Sequence, residues 1–305
     1  MKNDRIGILY ACITALFWGF LAILLKVAVK RVDSITIVWF RFLFAFILLL
    51  IWELFRNPKE IKILVRPPKI LVFAAIALTL NYLGYMFGIR FTTPGNGQIF
   101  AQAGPLLFTA GGIIIFKERL NKGQIIGFVL AITGFTLFYS QQIKIVHLDN
   151  YNLGVVSVLT GALVWAIYAL LQKKLVKTYS SNSLNLFLYA FPAVVLLPFI
   201  DISPFIGFNL WWWLLLMLLG LNTLVAYGCL AQAIRYTQAN KVSIILLLNP
   251  IITFVLMGII TVLDVAWIEG EHFTTLTIAG ALIVLSGAGL VIYNNKQKTK
   301  EQLKE

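Results

Sequence analysis

The sequence predicts an all-α integral membrane protein with ten transmembrane helices, arranged as two inverted five-helix repeats. Composition is the first reason, because 60% of the residues are hydrophobic and only 12% are charged, whereas a soluble domain carries about 25% charged residues. The second reason is the spacing of the apolar stretches, and the third is an internal similarity between the two halves. At about 20 residues per span, ten spans and their connections use nearly all 305 residues. A sizeable soluble domain is therefore excluded.

Ten apolar stretches follow one another along the chain. Each can cross roughly 30 Å of hydrocarbon, the seventh being the shortest. The first stretch is too long for the apolar region of a signal peptide, and no small-residue cleavage pattern follows it. The predicted spans cover residues 6–29, 35–55, 70–89, 97–116, 123–140, 153–172, 184–200, 210–233, 242–263 and 275–293.

The basic residues orient these spans. A net charge of +13 would suggest nucleic acid binding in a soluble protein, but in a membrane protein it follows from basic cytoplasmic loops. With the N-terminus inside, the predicted cytoplasmic segments hold 19 Lys and Arg residues and the opposite segments hold 5. We therefore expect a multi-pass plasma-membrane protein of the bacterial inner-membrane type, with both termini in the cytoplasm and no nucleic-acid partner.

The two halves of the chain are similar to each other. A shift of 147 residues gives eight identities in 24 positions and pairs Trp18 with Trp165, whereas apolar composition alone gives about two or three. A shift of 145 pairs Tyr82 with Tyr227, and Pro105 with Pro250. Because each unit holds an odd number of spans, the second unit enters the membrane in the opposite orientation, as in many secondary transporters.

The first unit carries a set of motif positions, namely Trp18-Gly19, Arg41, Pro105, Glu118-Arg119-Leu120, Gly127 and Gly134. With these residues the chain resembles the EamA repeat of the drug/metabolite transporter superfamily over residues 6–293. The resemblance divides the chain into a first repeat at 1–145, a second repeat at 150–295 and a basic cytoplasmic tail at 296–305. The second unit departs from the pattern, because Leu188 occupies the position of Arg41 and eight extra residues precede Glu271.

Motifs for energy coupling or catalysis are missing from the sequence. There is no phosphate-binding loop motif, no HExxH and no GxSxG, so we expect neither an enzyme nor a bound cofactor or metal. All twelve acidic residues, and His147 and His272, fall in loops or at the ends of predicted spans. Proton-coupled transporters usually carry an ionisable group at depth. The pattern therefore favours facilitated transport, exchange or coupling through the substrate itself.

Polar and aromatic residues near the bilayer centre define the predicted binding site. Central Trp and Tyr residues do not belong to the aromatic belts at the membrane interfaces. As a group these residues favour a polar, aromatic-lined cavity, although each alone could join helices by hydrogen bonding or packing. The predicted substrate-binding residues are Trp18, Asn81, Tyr82, Tyr85, Gln102, Trp165, Tyr168, Asn222 and Asn249. Pro105 and Pro250 are either hinges or tolerated kinks.

Two basic residues lie toward the outer ends of the first two spans, Lys26 and Arg41. One interpretation is that both side chains reach the outer lipid headgroups. The alternative is a basic vestibule that attracts a carboxylate or phosphate group.

The predicted function is secondary transport of a small polar or amphipathic metabolite by alternating access around a central cavity. The family resemblance implies amino acids or related metabolites, often in the direction of export. A flippase for an amphiphilic or lipid-linked molecule is the alternative within transport. A membrane subunit or an intramembrane enzyme is the alternative outside it. The expected partners are the small-molecule substrate and the lipid bilayer, and the expected state is a monomer or homodimer.

Overall fold

The computed structural model describes residues 4–116, 121–146, 148–176, 178–237 and 239–301. The motif residues Glu118-Arg119-Leu120, and His147, lie outside them. Within this part the chain is helical and contains no strand. The helices are α1 (Asp4–Ala28), α2 (Ser34–Arg56), α3 (Lys69–Phe91), α4 (Pro94–Ala101), α5 (Ala103–Phe116), α6 (Lys122–Ile145), α7 (Tyr151–Leu175), α8 (Ser181–Val195), α9 (Leu210–Tyr236), α10 (Ala239–Leu246), α11 (Leu248–Val262) and α12 (Thr275–Glu301). Short 3₁₀ turns follow α2 and α8.

Most predicted spans correspond to one long apolar helix. In the described segments, nine helices are long and apolar enough to cross a membrane, so the chain is a multi-pass membrane protein. The predicted fourth span, 97–116, is not among the nine, and it consists of two shorter helices, α4 and α5. Helix α12 continues to Glu301, so part of the segment predicted as a basic tail, 296–305, is helical.

The two interrupted spans break at corresponding positions. The short helices α4 and α10 end at Ala101 and Leu246, and a new helix begins two residues later in each case. Proline explains both breaks, because Pro105 and Pro250 have no N–H to donate to the carbonyl four residues earlier, and their rings clash with it. Those carbonyls belong to Ala101 and Leu246, the last residues of the two short helices. The bounds of α4 and α10 differ by 145 residues, the shift that relates the two halves.

The helices pack in a two-fold pattern across the two halves. Helix α1 packs against α9 and α11, and its counterpart α7 packs against α3 and α5. A Cβ atom on Gly7 would lie 2.7 Å from Thr237, and a Cβ atom on Gly154 would lie 2.7 Å from Thr92. These two close approaches correspond to each other under the repeat. The halves are therefore interleaved through equivalent helix contacts.

Candidate functional site

A central cavity of about 960 Å³ lies between the two halves. It extends from the middle of the helices to the ends of α2 and α7, where Asn57, Glu60 and Ser180 line it. The charge distribution predicts this face to be cytoplasmic. Nearly all of the predicted substrate-binding residues line the cavity, namely Trp18, Asn81, Tyr82, Tyr85, Gln102, Trp165, Tyr168 and Asn249.

Aromatic rings form a continuous path along one wall of the cavity. The rings of Trp18 and Tyr227 meet edge to face at a centroid distance of 5.5 Å. Tyr227 in turn lies 6.1 Å from Tyr82, and Tyr82 lies 4.3 Å from Phe42. Tyr82 and Tyr227 are paired by the shift of 145 residues that relates the two halves, so equivalent residues meet in the cavity wall. Tyr227 was not predicted as a site residue, although its pairing with Tyr82 in the repeat would have identified it.

The amide side chains of the cavity serve partly as links between helices. Asn81 donates from Nδ2 to the carbonyl of Gly161 at 3.0 Å, and Gln98 donates to the carbonyl of Trp18 at 2.8 Å. By contrast, the buried Oδ1 of Asn249 and the hydroxyl of Tyr168 have no hydrogen-bond partner among the described residues. Unsatisfied buried polar atoms are rare in native proteins, and both atoms belong to residues that line the cavity.

Asn222 lies elsewhere than predicted. It is buried but is not part of the cavity lining. Its Nδ2 donates to the backbone carbonyl of Phe17 at 2.7 Å, which joins α9 to α1. Its side chain therefore contacts a neighbouring helix.

Arg41 is directed into the cavity, and it does not reach the outer headgroups. Its side chain is only 3% exposed, and Nε donates to Oγ1 of Thr223 at 3.1 Å. The guanidinium carbon lies 4.7 Å from the centre of the Tyr82 ring, a cation–π distance. The structure therefore places this cation in the same site as the aromatic residues.

Lys26 lies outside this cavity and holds the end of helix α3. Its ammonium group donates to the carbonyls of Ile89 at 3.1 Å and Arg90 at 3.2 Å, and also to that of Thr92. A cation at a helix C-terminus satisfies carbonyls that have no partner within the helix and interacts favourably with the helix dipole. We call this arrangement the Lys26 cap. It joins α1 to α3 on the face opposite the cavity opening.

The same face is closed by a buried carboxylate. The side chain of Glu271 is in a loop, as predicted, but it is only 6% exposed. It accepts hydrogen bonds from the backbone N–H of Gly95 at 2.8 Å and from the hydroxyl of Thr93 at 2.7 Å, at the N-terminus of α4. Burial raises the pKa of Glu271 to about 7, against the opposing effects of these hydrogen bonds and of Lys26.

A buried amide network reinforces this closure. Tyr151 donates to Oδ1 of Asn96 at 2.8 Å, and Asn96 donates to Gln142 at 3.0 Å. Gln142 then donates to Thr277 at 3.2 Å. Helices α4, α6, α7 and α12 are thus joined by one chain of hydrogen bonds. In the described part of the chain, no cluster of His, Cys, Asp and Glu could hold a metal ion.

Comparisons with known proteins agree with this architecture. An uncharacterized transporter of Haemophilus influenzae is 30% identical over 97% of each chain. The uncharacterized inner membrane transporter YhbE of Escherichia coli is 29% identical over 94% of this chain and 92% of its own. A probable amino-acid metabolite efflux pump of Salmonella typhimurium is 22% identical over 93% of each chain. One crystal structure matches with a TM-score of 0.65 at 14% identity, over 95% of this chain and 98% of the other, which shows the shared fold.

A family model agrees with the repeat found in the sequence. The model of the EamA-like transporter family matches residues 5–140 and, in a second copy, residues 152–293. The two copies cover almost the whole chain, and the resemblance of the sequence motifs to the EamA repeat is confirmed. The chain therefore belongs to the EamA-like transporter family.

Proposed function

We propose that this protein is a secondary transporter of the inner membrane, an exporter or exchanger of a small metabolite such as an amino acid. The observation that carries the proposal is the cavity of about 960 Å³ in the centre of the helices, open toward one face. Ligand sites commonly have a volume of roughly 300–1,000 Å³ and combine aromatic walls with a few placed polar groups. This cavity has that size and that lining.

Ten spans in two inverted repeats are part of the proposal. The nine spans already include the divided pair α10–α11, and the divided pair α4–α5 supplies the tenth. The equivalent packing of α1 and α7 supports the two-fold relation. In transporters of this construction, exchange of the two repeat conformations moves the opening of a central site from one face to the other.

The structure has the features of a state that is open to the cytoplasm. The Lys26 cap is formed on the closed face. Lys173, the equivalent of Lys26 in the second half, lines the open cavity, with its ammonium group 6.0 Å from the centre of the Phe108 ring. Equivalent lysines are thus in different environments on the two faces, as alternating access requires. Both termini are cytoplasmic in this orientation.

An amino acid suits the lining of the cavity. The Trp18 and Trp165 rings provide flat apolar surface for a side chain. The side chains of Asn249 and Tyr168, which line the cavity, carry oxygen atoms of the kind that accepts hydrogen bonds from an ammonium group. The Salmonella typhimurium relative named as a probable amino-acid metabolite efflux pump supports the same substrate class.

Counterflow in proteoliposomes tests the proposal. Vesicles that contain only this protein are loaded with one unlabelled amino acid at a time, and uptake of the labelled compound is followed. We expect at least one amino acid to exchange, and we expect Asn249→Ala to weaken its apparent affinity because a cavity acceptor is lost. Asn222→Ala is the matched control, because it removes the link to Phe17 and should lower stability with unchanged affinity.

Three results would contradict the proposal. Absence of exchange for every amino acid would exclude this substrate class. Movement of a labelled lipid with no amino-acid exchange would favour a flippase. Equal effects of the two asparagine substitutions on affinity would mean that the site is not where the cavity places it.

A further inference from the structure

We infer that Arg41 binds the carboxylate of the transported molecule, so that the substrate is a compound with a single carboxylate group. This inference rests on the proposed function and specifies its substrate class. The observation behind it is a buried cation that faces the cavity without a counter-charge.

No carboxylate neutralises Arg41 within the described residues. The ionisable groups that act on it most strongly are the hydroxyls of Tyr82, Tyr227 and Tyr85. Glu53 also lines the cavity, but it lies twelve residues further along α2, which is about 18 Å at 1.5 Å per residue. Its carboxylate moreover accepts a hydrogen bond from Asn182 at 2.7 Å. A buried charge without a partner is costly, and in membrane spans it marks a functional site.

The surroundings of Arg41 leave one edge of the guanidinium group for a ligand. Nε is engaged by Thr223, and one face of the group packs on the Tyr82 ring. Within the described part of the chain, the two terminal nitrogens make no hydrogen bond. Their parallel N–H groups match the two oxygens of a carboxylate. Because Thr223 and Tyr82 already fix the side chain, little rotamer freedom is lost on binding.

The number of cations favours one carboxylate over a phosphate group. Under the repeat, the equivalent of Arg41 is Leu188, since α2 and α8 begin at the equivalent residues Ser34 and Ser181. Leu188 is buried and apolar. The other cations that line the cavity, Arg56 and Lys173, are in the last turns of α2 and α7, near its opening. A doubly charged phosphate would leave one charge uncompensated at the centre of the membrane.

The first test requires no ligand. If Arg41 is held unpaired for a substrate, Arg41→Met should melt at the same temperature as the wild-type protein or higher, because an unpaired buried charge is removed and the apolar volume is kept. If Arg41 is a structural link to Thr223 and Tyr82, the substitution should lower the melting temperature. The protein is the purified full chain in detergent.

The second test compares acids with their amides as ligands. Binding of phenylalanine, leucine, phenylalaninamide and leucinamide is measured by thermal shift and calorimetry. We expect at least one of the two acids to bind at least tenfold more tightly than its amide, and Arg41→Gln to abolish this preference. Lys30→Gln, which changes an exposed lysine on the opposite face, should retain it.

Three results would overturn the inference about Arg41, and each can be distinguished from results that would contradict the proposed transport function. Equal binding of acid and amide, an unchanged preference in Arg41→Gln, or failure of both acids to bind would each overturn it. Acid binding that depends on Arg41 without exchange in proteoliposomes would contradict transport and leave the carboxylate site in place. Exchange that acid and amide inhibit equally would support transport and contradict the role of Arg41.

Discussion

Removal of the Lys26 cap should favour a state in which the cavity opens on the outer face, which the cap closes in this structure. In Lys26→Met the carbonyls of Ile89, Arg90 and Thr92 lose the ammonium group that joins α1 to α3. Methionine keeps most of the apolar length of the side chain, so the change is confined to the charge and its hydrogen bonds.

The structure gives the expected magnitude. A hydrogen bond to a charged group contributes roughly 1.5–3 kcal/mol net. The bond to Arg90 is exposed, so water replaces it at little cost, whereas the bonds to Ile89 and Thr92 are partly buried. Because a single ammonium group makes these bonds, we count one charged contribution, a loss of about 2 kcal/mol from the closed outer face. This is roughly a thirtyfold change in the equilibrium between the two states.

Cysteine labelling in oriented vesicles measures this equilibrium. Ala101, which lines the cavity and is partly exposed, is replaced by Cys after Cys12 and Cys229 are changed to Ser. A membrane-impermeant maleimide added to the outer face reports the outward-open population. Lys26→Met should accelerate labelling from outside about thirtyfold and slow labelling from the cytoplasmic face.

Lys30→Met is the control for the loss of a positive charge on the same face. Its ammonium group bonds only the exposed carbonyl of Trp267, at 3.1 Å, among the described residues, and labelling should change less than twofold. Unchanged outside labelling in Lys26→Met, at an unchanged melting temperature, would refute the assignment of the cap to the closed face.

Three further predictions concern packing, pH and topology. Gly154→Ala should lower the free energy of unfolding by about 1–3 kcal/mol, because its Cβ would overlap the end of α3. Gly228→Ala is the control, because there is open space around Gly228, and it should be neutral or stabilising by up to about 1 kcal/mol. Equal melting temperatures for the two variants would contradict the close approach of Gly154 to α3. The pKa of Glu271, about 7, lies above the ordinary value of a glutamate, so near pH 7 the folded protein binds a proton that the unfolded chain does not. The free energy of unfolding therefore rises as the pH falls through 7, by about 1 kcal/mol between pH 8 and pH 6. Glu271→Gln should remove this contribution from the pH dependence of the melting temperature. Cysteine at Lys62 should react with impermeant maleimide only from the cytoplasm and cysteine at Asp201 only from outside, and the reverse pattern would invert the proposed orientation.

The positions of the long helices could be predicted because lipid imposes a single requirement on them. Every backbone polar group in the hydrocarbon region must be paired within the helix, so apolar length alone marks a span. The second span was predicted at 35–55 and the helix runs from Ser34 to Arg56. The division of the fourth span was not predicted. Pro105 and Pro250 were recognised, but a proline in a span can give either a kink or a break, and the neighbouring helices decide which.

Part of the site could be predicted because depth follows from the distance to the end of a helix. Trp18 and Tyr82 were predicted on this ground and line the cavity. Depth does not determine which side of the helix a residue occupies, and Asn222 therefore points toward α1. Glu271 was correctly assigned to a loop, but its burial depends on the start of α4, which is distant in the sequence and supplies Thr93 and Gly95.

The proposed role of Arg41 explains how two similar halves would bind an asymmetric molecule. The two halves contribute equivalent aromatic residues, Tyr82 and Tyr227, whose ring centres lie 6.1 Å apart. Two equivalent cations at this level would repel each other in the absence of substrate and would favour a doubly charged ligand. The position equivalent to Arg41 is instead Leu188, which is apolar and buried, so the second half adds no cation at this level. We therefore expect a molecule with one carboxylate and an apolar body, whose charged group pairs with Arg41 while the rest of the molecule contacts aromatic surface.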